Sequence, residues 1–188
     1  MTLREKEFMF EQAVNISLKK SDSFECKVIG EQLRYSIRMK QDFVEKAEKI
    51  FGFNIPRNIG EVESYDKILC MCLGPDEWIL IVQPKLKLQF DKIIARLNNS
   101  ITISITNISD RNIGFKLKGK KVQKYINSGC PLDLALESFP IGKASRTVFE
   151  SVPILLFRDG KLSFRVECWR SFGPYISDFF KRIADTND

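Results

Sequence analysis

Between Leu33 and Ile108 the hydrophobic pattern changes period four times, and that order of periods restricts the fold more than any composition figure does. Leu33, Tyr35, Ile37 and Met39 alternate with Arg34, Ser36, Arg38 and Lys40, a period of two that predicts a strand with one buried face. A helix is predicted next, with Asp42 as its cap, Glu45 three residues on, and Phe43, Ala47 and Ile50 as an apolar stripe before Gly52 and Pro56 stop it. Two apolar runs, 68–73 and 78–82, flank Gly74-Pro75-Asp76-Glu77 and predict a hairpin. Pro84 then opens a helix in which Leu86, Phe90, Ile93 and Leu97 recur at helical spacing, closed by Asn98 and Asn99. The β-branched run 100–108 predicts a further strand. Strand, helix, hairpin, helix, strand is the split βαβ, or ferredoxin-like, arrangement.

The order then begins again. A strand over 113–117 leads to a helix over 120–127 with Val122, Tyr125 and Ile126 inward and Gly129-Cys130-Pro131 as its stop. Strands over 145–149 and 153–157 follow, the Asp159-Gly160 turn joins the second to a strand over 162–166, and a final helix carries Tyr175, Ile176, Phe179, Phe180 and Ile183. Ser171 is the expected cap of that helix, with Pro174 in its first turn. No residue-level repeat accompanies the repeated order. The expected fold is α+β with two ferredoxin-like halves, residues 31–110 as βαββαβ and 111–188 as βαβββα, packed as one compact unit. Residues 1–30, rich in Lys, Ser and Glu with scattered apolar positions, read as an irregular N-terminal arm.

Among its 188 residues the chain has no histidine. That excludes a Ser-His-Asp or Cys-His catalytic arrangement and any His-ligated zinc built from this polypeptide. The five cysteines are scattered, odd in number and form no C-x-x-C pair, which fits free thiols in a reducing compartment. Together with an N-terminus that lacks an apolar leader-like core, this predicts a cytoplasmic protein with no membrane partner. Cys70 and Cys72, two apart on a predicted strand, read as small buried hydrophobes, whereas Cys130 at a helix end is the expected exposed thiol. No glycine-rich phosphate loop occurs, so no flavin, nicotinamide or nucleotide site is expected in this chain. Asp76, Glu77, Asp110 and Asp133 lie at turns or element ends, where capping explains them.

Residues 1–66 carry 11 basic and 12 acidic residues, and residues 67–188 carry 19 and 12, so the positive charge belongs to the C-terminal part. Arg111, Lys116, Lys118, Lys120, Lys121 and Lys124 form an acid-free basic segment that could meet phosphate groups. On a strand and a short helix, however, the same residues form ordinary wet faces, and Phe115 and Tyr125 point to the core rather than offering stacking surfaces, so nucleic acid ranks below protein contact. Arg111, Arg146, Arg158 and Arg170 are either interface forks or partners of intramolecular acids such as Asp110 or Asp133.

Cys72-Leu73-Gly74-Pro75-Asp76-Glu77-Trp78, Ser109-Asp110-Arg111, Gly129-Cys130-Pro131-Leu132-Asp133-Leu134, Arg146-Thr147 and Trp169-Arg170-Ser171-Phe172 with Tyr175 form an ordered set. This set resembles the gamma subunit of heterotetrameric sarcosine oxidase from about the first third of the chain to its C-terminus. The resemblance implies the fold of the folate-binding domain of glycine-cleavage aminomethyltransferase. It also implies membership in an enzyme that oxidises sarcosine to glycine with hydrogen peroxide and methylene-tetrahydrofolate. Alpha, beta and delta subunits would be the partners; FAD, FMN, NAD and zinc would reside in them, and this chain would hold no cofactor and no catalytic residue. Arg111, Arg146, Trp169 and Arg170 are the candidate partner contacts. The alternatives are a stand-alone tetrahydrofolate-binding protein of one-carbon metabolism and, resting on the basic segment alone, an RNA-binding module.

Overall fold

The computed structural model describes residues 23–186, which form two compact units. One comprises residues 31–110 with 142–145; the other comprises 111–141 and 146–186 together with residues 23–30. Among the described residues, no helix is long and apolar enough to cross a membrane.

In the first unit the chain runs β2 (Leu33–Met39), α1 (Val44–Phe51), β3 (Val62–Tyr65), β4 (Ile68–Gly74), β5 (Glu77–Val82), α2 (Lys87–Ser100) and β6 (Ile103–Asn107). Sheet order is β3-β4-β5-β2-β6. Without the short edge strand β3 this is the ferredoxin-like order, each adjacent pair running antiparallel. Alternation puts Leu33, Tyr35, Ile37 and Met39 on the face that α1 and α2 cover, with Trp78, Leu80 and Val82 beside them. Phe90 of α2 stacks on Tyr35 with ring centroids 5.0 Å apart and lies 5.9 Å from Phe51 of α1, so three aromatic rings join the sheet to both helices. Burial of each such ring contributes about 1.5–3 kcal/mol.

Asp42 makes no cap. It lies inside a 3-10 turn, Gln41–Phe43, and Phe43 occupies the cap position without a side-chain hydrogen bond. Gly52 does end α1, in the left-handed conformation that a glycine takes at little cost, its N–H donating to the Glu48 carbonyl.

The second unit runs β7 (Asn112–Lys118), α3 (Val122–Asn127), β8 (Ala144–Phe149), β9 (Val152–Gly160), β10 (Ser163–Trp169) and α4 (Gly173–Thr186). A 3-10 turn, Arg170–Phe172, takes the place of the expected Ser171 cap. This run lacks the closing strand of a ferredoxin-like half. β1 (Glu25–Ile29) supplies it, pairing antiparallel with β7 from Glu25↔Lys118 to Ile29↔Gly114, and the sheet order is β1-β7-β10-β9-β8.

Residues 23–30 are therefore part of a sheet rather than an irregular arm; residues 1–22 lie outside the described residues. Two observations explain the docking. Phe24 is 2% exposed, with its ring against Tyr125 at 4.8 Å and Phe180 at 5.8 Å. Gly119, at φ +125, lets the chain approach so closely that an added Cβ would stand 2.4 Å from the Ser23 carbonyl oxygen, which accepts the Lys121 N–H. Of the charged residues behind that expectation, Glu25 and Lys27 lie on this strand and pair with each other at 2.5 Å, Lys27 exposed and Glu25 partly buried.

Candidate partner-contact site

β7 and β10 pair so that Asn112 stands opposite Trp169, and just beyond them the Arg170 N–H donates to the Arg111 carbonyl at 2.7 Å. That bond ties the two segments together where both leave the sheet. The Arg111 Nε donates to Asn112 Oδ1 at 3.1 Å, which holds the guanidinium of this exposed residue at the strand end. Trp169 is 51% exposed and stacks on Phe172, ring centroids 6.2 Å apart at 24°. The 3-10 turn produces this stack, because residues three apart eclipse in that geometry.

Arg111, Trp169 and Arg170 are thus brought together, with Phe172 and Asn112 added by the structure. Arg146 is not. It is exposed on β8, the far edge strand, with β9 and β10 between it and β7. Arg158, weighed as an interface fork, is fully buried: its terminal nitrogens donate to the carbonyls of Phe139 at 2.6 Å and Lys161 at 3.3 Å, and its guanidinium lies 4.6 Å from the Phe164 ring centroid.

The remaining quoted motifs are packing devices. Trp78 is 1% exposed and its Nε1 donates to the Pro56 carbonyl at 2.8 Å. Arg38 spans the 74–77 turn through Asp76 at 2.9 Å and Glu77 at 2.8 Å. The Ser109 hydroxyl accepts the Arg34 N–H at 2.9 Å. Gly129 admits the Phe149 ring, which would sit 2.8 Å from a Cβ there. Asp133 accepts the Ser138 hydroxyl and the Ala135 N–H, two bonds that hold its carboxyl below the usual range.

No nucleophile emerges from the thiols. All five cysteines are free and buried, Cys130 included at 3% exposure, so the expectation of an exposed thiol there fails. A helix end normally faces water, but the segment after α3 turns inward and its Cys130 N–H donates to the Ile126 carbonyl. Burial, with the Glu25 charge second, pushes the Cys26 thiol up to about 12; burial also raises Cys70 and Cys72.

In the basic segment, Lys116 is half-buried beside Asp159, to which its ammonium is ion-paired. Burial first, then the charges of Lys118 and Arg165, push it down to about 8. Phe115 and Tyr125 are 0% and 1% exposed, which leaves that segment without a stacking platform. Among the described residues no three His, Cys, Asp or Glu side chains gather as a metal site. An open depression of about 470 Å³ is lined by Glu45, Glu48, Lys49, Gly52, Phe53, Asn54 and Arg57. Its central carboxylate, Glu48, already accepts from Ile55 N–H and Arg57 at 2.8 Å each.

Residues 39–186 match the sarcosine oxidase, gamma subunit family. The sarcosine oxidase subunit gamma of an Arthrobacter species is 28% identical over 116 residues, 61% of this chain and 56% of the relative. That of Corynebacterium sp. strain P-1 is 26% identical over 125 residues, 66% and 60%. The chain spans somewhat over half the length of these curated relatives. Among solved structures, a chain of the heterotetrameric sarcosine oxidase from Corynebacterium sp. U-96 in complex with pyrrole 2-carboxylate superposes with a TM-score of 0.78 at 20% identity, covering 93% of this chain and 89% of that one. The glycine cleavage system aminomethyltransferase T from Bartonella henselae gives 0.64 at 9%, covering 92% and 47%. At these identities the structural likenesses establish the shared fold.

Proposed function

Because the chain belongs to the sarcosine oxidase gamma subunit family, we propose that it acts as a non-catalytic, cofactor-free subunit of a heterotetrameric sarcosine oxidase. In this reading it packs on flavin-bearing alpha and beta subunits, with delta completing the assembly. FAD, FMN, NAD and zinc sit in those partners, and the reaction is the oxidation of sarcosine to glycine with hydrogen peroxide and methylene-tetrahydrofolate.

The observation that carries the proposal is the half-exposed Trp169–Phe172 stack flanked by Arg111 and Arg170. Trp and Arg are the side chains that dominate binding energy at protein interfaces, and a large indole left half in water gains most when a partner covers it. The absence of histidine from the sequence and the burial of every thiol support a role of shape rather than proton transfer.

Co-expression with and without this chain tests the proposal: an assembly lacking it should lose stability and sarcosine turnover, and full retention of both would refute the subunit role. Within the complex, Trp169→Ala should weaken association by about 2 kcal/mol or more. The competing reading, tetrahydrofolate binding by the chain alone, is separated by fluorescence. Trp78 is sealed in the core, so Trp169 is the surface reporter, and titration of the isolated chain with tetrahydrofolate should leave it unquenched.

A further inference from the structure

Each of the two sheets has two edges, and three of the four carry charges. β1 has Glu25 and Lys27, β3 has Glu63 and β8 has Arg146, the devices by which edge strands resist pairing with other chains. β6 has none: no charged residue occurs from Leu97 to Ser109, and the strand contains neither proline nor glycine.

Its backbone is also poised to pair. The Arg34 carbonyl accepts the Ile108 N–H, so the backbone groups of Arg34, and by alternation those of Ser36 and Arg38, point toward β6. Their register partners Thr106 and Ser104 point back. The N–H and C=O groups of Ile103 and Ile105 therefore face outward, where no further strand lies among the described residues. The side chains of Ile103 and Ile105 pack at the margin of the helix-covered core and stay only partly buried, while Ser104 and Thr106 are exposed on the other face.

The sequence of this edge reads the same in both directions: Thr102-Ile103-Ser104-Ile105-Thr106. An antiparallel pairing of two copies about a two-fold axis at Ser104 would set Thr102 against Thr106, Ile103 against Ile105 and Ser104 against Ser104, so every residue meets its own type and each face keeps its polarity. Ile103 and Ile105 would form the hydrogen-bonded pairs, and Ser104 the close, non-hydrogen-bonded one. β-branched and Thr–Thr cross-strand pairs are among the favourable ones. We propose that β6 is a self-complementary edge through which the isolated chain dimerises, joining two five-stranded sheets into one continuous sheet. This inference concerns a different unit from the Trp169 site and does not rest on the subunit reading.

Sedimentation velocity of the full-length chain tests it, with dimer fraction rising with concentration across the micromolar range. Ser104→Lys, at an exposed position, sets two ammonium groups face to face and should weaken dimerisation by about tenfold or more. Mixing S104K with S104E chains should restore dimers of mixed composition. Ser104→Cys gives a second readout, because a non-hydrogen-bonded pair holds Cα atoms about 4.5 Å apart, within disulfide reach, and the native thiols are buried. Under mild oxidation S104C should cross-link far faster than Leu88→Cys, an exposed control on α2. A chain monomeric at every concentration, an S104K variant that dimerises like the parent, or equal cross-linking of S104C and L88C would each overturn the proposal.

Discussion

The two units fill the same position in the same topology from opposite directions along the chain. In the unit built on β2–β6, the outer strand beside β2 is β6 and follows directly after α2; in the other, the equivalent strand beside β7 is β1, and it precedes the entire first unit. The sheet accepts either source because pairing depends on register and side-chain fit, and the entropic cost of closing a longer loop grows only logarithmically with its length. What differs is the packing of the strand. β1 is anchored by Phe24 and Cys26, both 2% exposed, whereas Ile103 and Ile105 of β6 are only partly buried.

The largest test acts on that contrast. Removing residues 1–30 should abolish hydrogen-exchange protection in β7 and β10 while β2 and β5 keep theirs; loss of protection in both sheets together would show that the units do not differ in this dependence. A milder version compares Phe24→Ala, expected to cost about 3–5 kcal/mol, with Ile105→Ala, expected to cost about 1–2 kcal/mol because its side chain is already half in water. Urea unfolding reads both, and equal costs would remove the distinction between an anchored strand and an open edge.

Two ion pairs, one in each unit, also differ in burial. The second unit buries Arg165 and Glu167, two apart on one face of β10, with the Arg165 Nε donating to Glu167 Oε1 at 2.7 Å and exposures of 5% and 2%. In the first unit the Arg38–Asp76 pair has both side chains about half exposed. Glu167→Gln should cost about 3–5 kcal/mol because it removes the negative charge that faces a buried guanidinium, while Arg165→Met with Glu167→Leu should cost less. Asp76→Asn should cost less than about 1 kcal/mol. A large loss in the apolar double variant would mean the buried pair specifies the sheet and does not merely satisfy itself.

These contrasts track what could be read in the sequence. The first unit's elements were legible because each carries its own clean period, of two on the strands and of helical spacing on the helices, whatever the distance to its partner: Phe90 and Leu97 are buried on α2 as their spacing predicts. β3 escaped notice because Val62–Tyr65 is a short edge with Glu63 and Ser64 exposed, leaving no apolar run. β1 escaped because its partner β7 lies beyond a whole unit, and the glycine that admits the chain, Gly119, looks locally like any turn residue. Of the contact candidates, Trp169 and Arg170 were adjacent in sequence, but Arg111 joins them only through the β7–β10 register, which no local pattern encodes. Arg146 shared their composition and not their place.

The thiols supply a pH test that sets one unit against the other. The native chain should show no thiol reactive toward a disulfide reagent, and five after denaturation. An ordinary thiol ionises near 9.0, but Cys26 in the folded chain does so only at about 12. Above pH 9 the unfolded chain therefore loses this proton first, and the stabilisation present below pH 9 should decline as pH rises toward 12, by at most about 4 kcal/mol for this group. Cys26→Ala should lower stability near neutrality and flatten that decline. An unchanged slope would shift the alkaline sensitivity to Cys70, whose thiol is also raised by burial, in the other unit.

The smallest effect concerns two matching turns. β3–β4 and β8–β9 are each joined by two residues, and in both the first has positive φ: Asp66 at 38° and Glu150 at 51°. Asp adopts the left-handed region with help from its short side chain, whereas Glu has no such local bond and carries the strain. Glu150→Asn should therefore raise the unfolding midpoint by about 1–2 °C, corresponding to about 0.5 kcal/mol, while Asp66→Asn should change it by a few tenths of a kcal/mol at most. One contact opposes the gain: the Tyr175 hydroxyl donates to the Glu150 carboxylate, and that bond raises the Tyr175 hydroxyl above its ordinary range. Tyr175→Phe alone measures it. If Glu150→Asn destabilises in the parent but stabilises in Y175F, the strained glutamate is held in place by its link to α4, and the two turns differ in what they anchor rather than in how well their residues suit them.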